Sequence, residues 1–336
     1  MKLIKQISKK MKINKSLVFL MFIALVSSCI NDDPSYDGDD NIPISEATIA
    51  EVLVNSPGNA TNVTLALDRV DLLDNLNDKE KNFTLFMPDD DAFDEFLDEN
   101  SYVDINDVPL SVLEELLLNH IVEDVEITTA MMESLGTGYF VTESGFSLFF
   151  DTTTENITFN GTSEINEDEE DVEVLNGYIH VINTVIEPAT IADFIEADQS
   201  LDSFLSALTR EESFDYMETF AATEGETYPL TVFAPTNSAF NDLSTELEGS
   251  LNDIPTETLE ADINYHIVAG NEVLVNDLED DMTITTLGGE ITANVTGGAS
   301  LTDINERISD FLVSGIFAKN GILHKIDKVL LSERVE

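Results

Sequence analysis

Four short patterns occur twice along the 336-residue chain, in the same order. Ala47-Thr48-Ile49-Ala50 returns as Ala189-Thr190-Ile191-Ala192, and FTLFMPDDDAF (83–93) returns as LTVFAPTNSAF (230–240). Leu118-Asn119-His120-Ile121-Val122 is answered by Asn264-Tyr265-His266-Ile267-Val268, and Asn176-Gly177-Tyr178-Ile179-His180-Val181-Ile182 by Asn320-Gly321-Ile322-Leu323-His324-Lys325-Ile326. The offsets are 142, 147, 146 and 144 residues. Solenoid repeats are much shorter, about 20–50 residues. The chain is therefore a duplication of one domain, here bounded as 45–188 and 189–336. Pro188 marks the junction and the second copy begins at once, so the angle between the domains is expected to be restricted.

Within one copy, helical patterns come before strand patterns. Thr48 and Glu51 have capping-box spacing, and Val63, Leu67 and Val70 carry a helical period on to about Leu76. Phe83 to Met87 reads as a strand stopped by Pro88, and Asp89 to Asp91 open a short helix holding Phe93, Phe96 and Leu97. After Pro109 a further helix places Leu113, Leu116, Leu117 and His120 on one face. From about Phe140 short runs separated by Thr, Gly and Asn read as strands and hairpins. The second copy matches, with Pro255, Leu259, Ile263 and His266 marking its late helix. This order gives an α+β class.

The ends of the chain's charge distribution differ sharply. Six lysines fall in the first fifteen residues, Leu17 to Val26 is unbroken apolar sequence, and Ser27-Ser28 precede Cys29. Basic, apolar and small residues in that order form a secretory leader, here 1–28, whose apolar run is too short to span a bilayer. Val26-Ser27-Ser28-Cys29 resembles a bacterial lipobox, and Cys29 is the chain's one cysteine, so no internal disulfide can form. The resemblance implies a diacylated Cys29 and stable attachment to a membrane. Residues 29–44 read as an acidic flexible tether. Acidic residues soon after the lipidated cysteine also resemble a surface-export signal of lipoproteins. The expected location is the outer membrane, at the cell surface, with the periplasmic face as the alternative.

Beyond Cys29 there are 67 acidic and nine basic residues. Such a field repels polyanions and excludes nucleic acid as a partner. Dispersed carboxylates favour solubility over a metal site, and Asp37 to Asn41 lacks EF-hand spacing. The run Glu167 to Asp171, absent from the second copy, reads as a solvated loop, with a divalent cation or cationic ligand as the sharper alternative. Asn156-Ile157-Thr158 and Asn160-Gly161-Thr162 are formal glycosylation sequons, which carry no weight in the bacterial setting that the lipobox resemblance implies.

Each copy resembles a fasciclin-like domain. The family's first block is matched by Phe86, Pro88, Ala92 and Phe93 and by Phe233, Pro235, Ala239 and Phe240. Its second block, Asn-Gly-x-x-His-x-Ile, is matched at 176–182 and 320–326. The family's Tyr-His pair is matched by Tyr265-His266, whereas the first copy has Asn119-His120. The resemblance implies two tandem fasciclin-like domains, each a wedge-shaped β-sandwich with several packed helices. It also implies extracellular adhesion and matrix binding without enzymatic chemistry.

All four histidines fall on repeat motifs, within apolar helix faces or strands, where they serve the fold. No HExxH, GxSxG or P-loop is present, and neither a catalytic residue, a cofactor nor a resident metal is expected. The chain lacks tryptophan, so a stacking site for glycans is not advertised. The expected function is a non-catalytic, lipid-anchored adhesion or interaction protein of the cell envelope. Its partners would be extracellular matrix, cell-surface protein or polysaccharide. Asn119, His120, Tyr265 and His266 are the candidate interaction residues. The alternative is an accessory binding protein of a surface glycan-capture system.

Overall fold

The computed structural model describes residues 43–333 except 56–57, 167–168 and 226. The leader, Cys29 and the tether up to residue 42 lie outside the described residues, as do Glu167 and Asp168. Among the described residues no helix is long and apolar enough to cross a membrane.

The first repeat opens with helix α1 (Ile49–Asn55). Its capping box forms as expected: the Thr48 N–H donates to Glu51 Oε2 at 2.9 Å, and the Glu51 N–H donates to the Thr48 hydroxyl at 3.2 Å. The single helical run expected to reach Leu76 is two helices, α2 (Thr61–Arg69) and α3 (Leu72–Leu76). They part at Asp71, whose φ of 57° is a left-handed conformation that Asp tolerates better than the β-branched Val70 would. Strand β1 (Phe83–Pro88) follows, then α4 (Asp90–Glu99), capped by the Asp89 carboxylate accepting the Ala92 N–H at 2.8 Å. Helix α5 (Leu110–Leu118) leads into β2 (Ile121–Glu123). Helix α6 (Thr129–Leu135) was not legible in the sequence; Thr128 caps it. The rest is strand: β3 (Thr137–Val141), β4 (Ser147–Asp151), β5 (Thr158–Phe159), β6 (Ser163–Glu164), β7 (Val172–Val174) and β8 (Gly177–Ile182).

These strands form two four-stranded sheets, ordered β2-β1-β8-β7 and β3-β4-β5-β6. At the centre of the first, β1 and β8 run parallel, and β1 is buried along its whole length. Its side chains alternate between two cores. Phe83, Leu85 and Met87 pack under the helices with Leu67, Phe93 and Leu117. Phe86 points the other way, into the wedge between the sheets, against Phe150, Phe159 and Ile182. The two sheets and the helical layer thus share one strand as their common wall.

The second repeat follows the same plan. Helices α7 (Ile191–Ala197), α8 (Asp202–Leu208) and α9 (Tyr216–Ala221) precede β9 (Leu230–Pro235), α10 (Asn237–Glu246) and α11 (Thr256–Asn264). Then come β10 (Ile267–Ala269), β11 (Met282–Thr285), β12 (Glu290–Asn294), β13 (Ser300–Thr302), β14 (Ile308–Ala318) and β15 (Gly321–Ile326). Here the strands join into one seven-stranded sheet, because the eleven-residue β14 runs unbroken, with bulges, where the first repeat has β6, the acidic run and β7.

Candidate functional site

The repeated motifs converge on the central sheet of each repeat, and their residue types follow from backbone bookkeeping. Asn176 is fully buried. Its Oδ1 accepts the Ile49 N–H at 2.9 Å, and its Nδ2 donates to the carbonyls of Leu76 (2.8 Å) and Asp78 (3.0 Å). Asn320 repeats this with Ile191 N–H, Phe220 O and Ala222 O. Each asparagine therefore pins the start of one helix and the end of another to the turn before the central strand. The glycine that follows has no alternative: a Cβ on Gly177 would lie 1.7 Å from Phe83 O, and one on Gly321 would lie 2.0 Å from Leu230 O.

The histidines are spent in the same way. Nδ1 of His120 donates to Leu116 O (2.8 Å) while Nε2 accepts the Ile186 N–H (2.9 Å). His266 makes the matching bonds to Asp262 O (2.8 Å) and from Leu330 N–H (3.0 Å). On the strands the tautomer reverses. Nε2 of His180 and His324 donates to Ile127 O and Val273 O, both at 2.9 Å. Their Nδ1 atoms accept from Asp171 N–H and Gly315 N–H, both at 3.2 Å. A ring that must both donate and accept is neutral. Burial lowers all four pKa values, outweighing the carbonyl each ring donates to, and brings His120, His266 and His324 to about 4.

The four candidate interaction residues lie inside the protein. Asn119 is 0%, His120 1%, Tyr265 4% and His266 1% exposed, so no partner reaches these side chains directly in this conformation. The expectation that they form a contact face is corrected to a structural role, because Asn119 and Tyr265 sit under the hairpin that follows their helix, and the two histidines tie the helix end to the segment after the last strand. Asn119 Oδ1 accepts from the hydroxyls of Thr142 (3.3 Å) and Ser144 (3.1 Å). Tyr265 instead lies beneath Gly288 and Gly289; a Cβ on Gly288 would come within 2.5 Å of its ring. The missing tyrosine of the first repeat is thus matched at one hairpin position, where Ser144 bonds Asn119 and the second repeat has Gly288; Thr142 and its counterpart Thr286 both keep a hydroxyl.

The acidic run is only in part the solvated loop expected. Glu169 and Glu170 are exposed, but the Asp171 carboxylate accepts the Thr129 N–H (2.9 Å) and hydroxyl (2.6 Å) at the start of α6. Among the described residues no group of three or more Asp, Glu, His or Cys side chains could hold a metal ion.

Two features escaped sequence reasoning. One is the seam between the repeats, where Asp198 is buried. Its Oδ2 accepts from the Tyr139 hydroxyl (2.8 Å) of the first repeat and pairs with Lys325 Nζ (2.6 Å). Its Oδ1 accepts from the Ser200 N–H and hydroxyl. Burial works to raise the Asp198 pKa, but Lys325, Ser200 and Tyr139 together hold it below the usual range. Tyr139 also packs against Phe149 and Phe194, and Phe149 belongs to the core of the second repeat. The Phe317 N–H donates to the Ser147 hydroxyl across the same seam at 2.9 Å. The other feature is a cleft of about 220 Å³ beside the Tyr265–His266 corner, lined in part by Phe214, Asp215, Tyr216, Glu260, Asn264 and Leu287. The sequence signal for it is a change between repeats: Phe214 and Tyr216 stand where the first has Val70 and Leu72.

The model of the fasciclin domain matches residues 58–188 and 199–332. The chain belongs to the fasciclin domain family. Human periostin is 30% identical over 170 residues, which cover 47% of this chain and 18% of periostin. Stabilin-2 of Rattus norvegicus is 33% identical over 103 residues, 30% of this chain and 7% of that protein. The match spans less than a fifth of either relative. A FAS1 domain pair from the insect cell adhesion molecule fasciclin I aligns with 84% of this chain and 95% of its own. Its TM-score is 0.50 at 17% identity, a likeness of fold. The two fasciclin domains here are accordingly α+β units whose sequence blocks are fold-determining: Asn and Gly set the turn, and His bridges strands or closes a helix corner.

Proposed function

We propose that this chain is a non-catalytic interaction protein of the cell envelope, anchored through a lipid on Cys29 and binding extracellular protein or polysaccharide. The observation that carries the reading is the fasciclin pair itself, whose fold likeness is to a domain pair from a cell adhesion molecule. Two further features support it. All four histidines, the side chains best suited to proton transfer near neutral pH, are consumed by backbone hydrogen bonds. The domains are joined through a buried, hydrogen-bonded seam, which presents two binding surfaces at a set spacing, and paired surfaces raise avidity when both engage. Protease shaving of intact cells tests the reading, with the wild type compared with Cys29→Ala. The expected result is digestion of both domains on intact wild-type cells and a variant no longer attached to membrane. A wild-type chain protected until the outer membrane is opened would make it a periplasmic scaffold and overturn adhesion.

A further inference from the structure

We propose that the cleft beside the Tyr265–His266 corner of the second fasciclin domain binds a lysine or arginine side chain of a basic partner protein. This deepens the interaction reading, on which it rests, by naming a site and the chemistry of its partner.

The cleft has two kinds of wall. One is aromatic: the rings of Phe214 and Tyr216 meet edge to face, 5.4 Å apart, with Phe214 half-buried. The other is anionic: Asp215 and Glu260 stand exposed at the rim. The Tyr216 hydroxyl donates to Asn264 Oδ1 at 3.2 Å and lies 3.5 Å from the Glu260 carbonyl, which places it between helices α9 and α11. Burial raises its pKa to about 12, helped by the Glu260 and Asp215 carboxylates, so both charges act on the same spot. Among the described residues neither carboxylate has a cationic partner within ion-pair distance.

The cations that could have served are engaged elsewhere. Arg210, four and five residues before Phe214 and Asp215, turns away to the carbonyls of Leu251 and Ile254 and to Glu211. A cation from outside would therefore meet two unneutralised carboxylates beside aromatic faces, a combination that holds ammonium and guanidinium groups. The strongly acidic chain would steer such a partner inward.

The duplication separates the cleft's contribution from that of diffuse charge. The first domain keeps the acids, Asp71 and Glu114, at the matching positions but carries Val70, Leu72 and Leu118 in place of Phe214, Tyr216 and Asn264. Exchanging the aromatic pair for the first domain's residues removes the cleft's character and leaves the net charge untouched.

The test is calorimetry on the detergent-solubilised full chain. The probe is a blocked peptide with three arginines spaced by glycines, set against its citrulline counterpart and a neutral glucan, at about 0.15 M and higher salt, where diffuse attraction is screened. Expected is binding of the arginine peptide and not of the citrulline peptide. Phe214→Val with Tyr216→Leu should weaken it at least tenfold, and so should Asp215→Asn with Glu260→Gln, a pair that leaves the packing intact. An aromatic exchange without effect would reduce the binding to diffuse charge and overturn the proposal, as would an unaltered affinity in the acid pair. A glucan that binds and is lost on the aromatic exchange, while the arginine peptide is unaffected, would make the cleft a sugar site. None of these results bears on whether the domains lie outside the cell, which shaving decides independently.

Discussion

A histidine clamped between a backbone carbonyl and a backbone amide cannot take a proton without losing its acceptor bond, and this chain has four. Their folded pKa values lie below the usual value near 6.5. The unfolded chain therefore binds protons first as pH falls. The sign follows: the stability these rings contribute is fully present above about pH 6.5 and is lost as pH falls, toward about 4 for His120, His266 and His324, at up to about 1.4 kcal/mol per pH unit for each ring. Between pH 6.5 and 5 the histidines contribute a slope of this sign. The urea midpoint is expected to fall steadily over that interval; a flat profile would mean that the rings are solvated or already charged. The same scale explains the departure from the Tyr-His pattern. Asn119 fits the first repeat because Thr142 and Ser144 supply hydroxyls to it, whereas Tyr265 requires the bare backbone of Gly288 and Gly289.

Elements are joined here by single side chains. Asn176 holds α1, the end of α3 and the turn into β8 through three backbone groups, two of them buried and the Asp78 carbonyl part-buried. Asn176→Ala is expected to cost about 3 kcal/mol, at roughly 1 kcal/mol or more for each orphaned group. Denaturant unfolding measures this, and a loss below about 1 kcal/mol would mean that water replaces the amide. Such motifs were legible because the duplication shows them twice, and β1, α4 and α5 followed from period and punctuation. Other features were not. Helix α6 is a single short segment of Thr and Met with no period to read, and the break at Asp71 leaves the apolar spacing of α2 and α3 undisturbed. The site was less legible than the fold. Ser147-Leu148-Phe149-Phe150-Asp151 is buried throughout, against the alternating burial of its counterpart Glu290 to Asn294. That difference announces a strand covered on both faces, but it becomes a seam only when the second domain is set against it.

At the scale of the whole molecule, the seam rests on a buried charge. Lys325→Met strands the Asp198 carboxylate between the domains, which is expected to cost about 3–5 kcal/mol. Adding Asp198→Asn should recover most of that loss, because the uncompensated charge goes with it. Thermal unfolding of the single and double variants checks this; equal losses in both would assign the effect to packing around Tyr139 rather than to charge. The seam also joins unlike surfaces, the outer face of β3 and β4 in one domain to α7, its C-cap Asp198 and β14 in the next. Joints of that kind can in principle be added to without end. In the second domain, however, the positions of Tyr139, Phe149 and Ser147 are taken by Thr283, Thr292 and Glu290. In the first, Val181 and Val52 stand where Lys325 and Phe194 would be needed. Each domain carries one half of the coupling and neither carries both. Separate copies of the chain therefore have no means of threading onto one another through this joint, and the pair remains a discrete unit of two rather than the first link of a fibre.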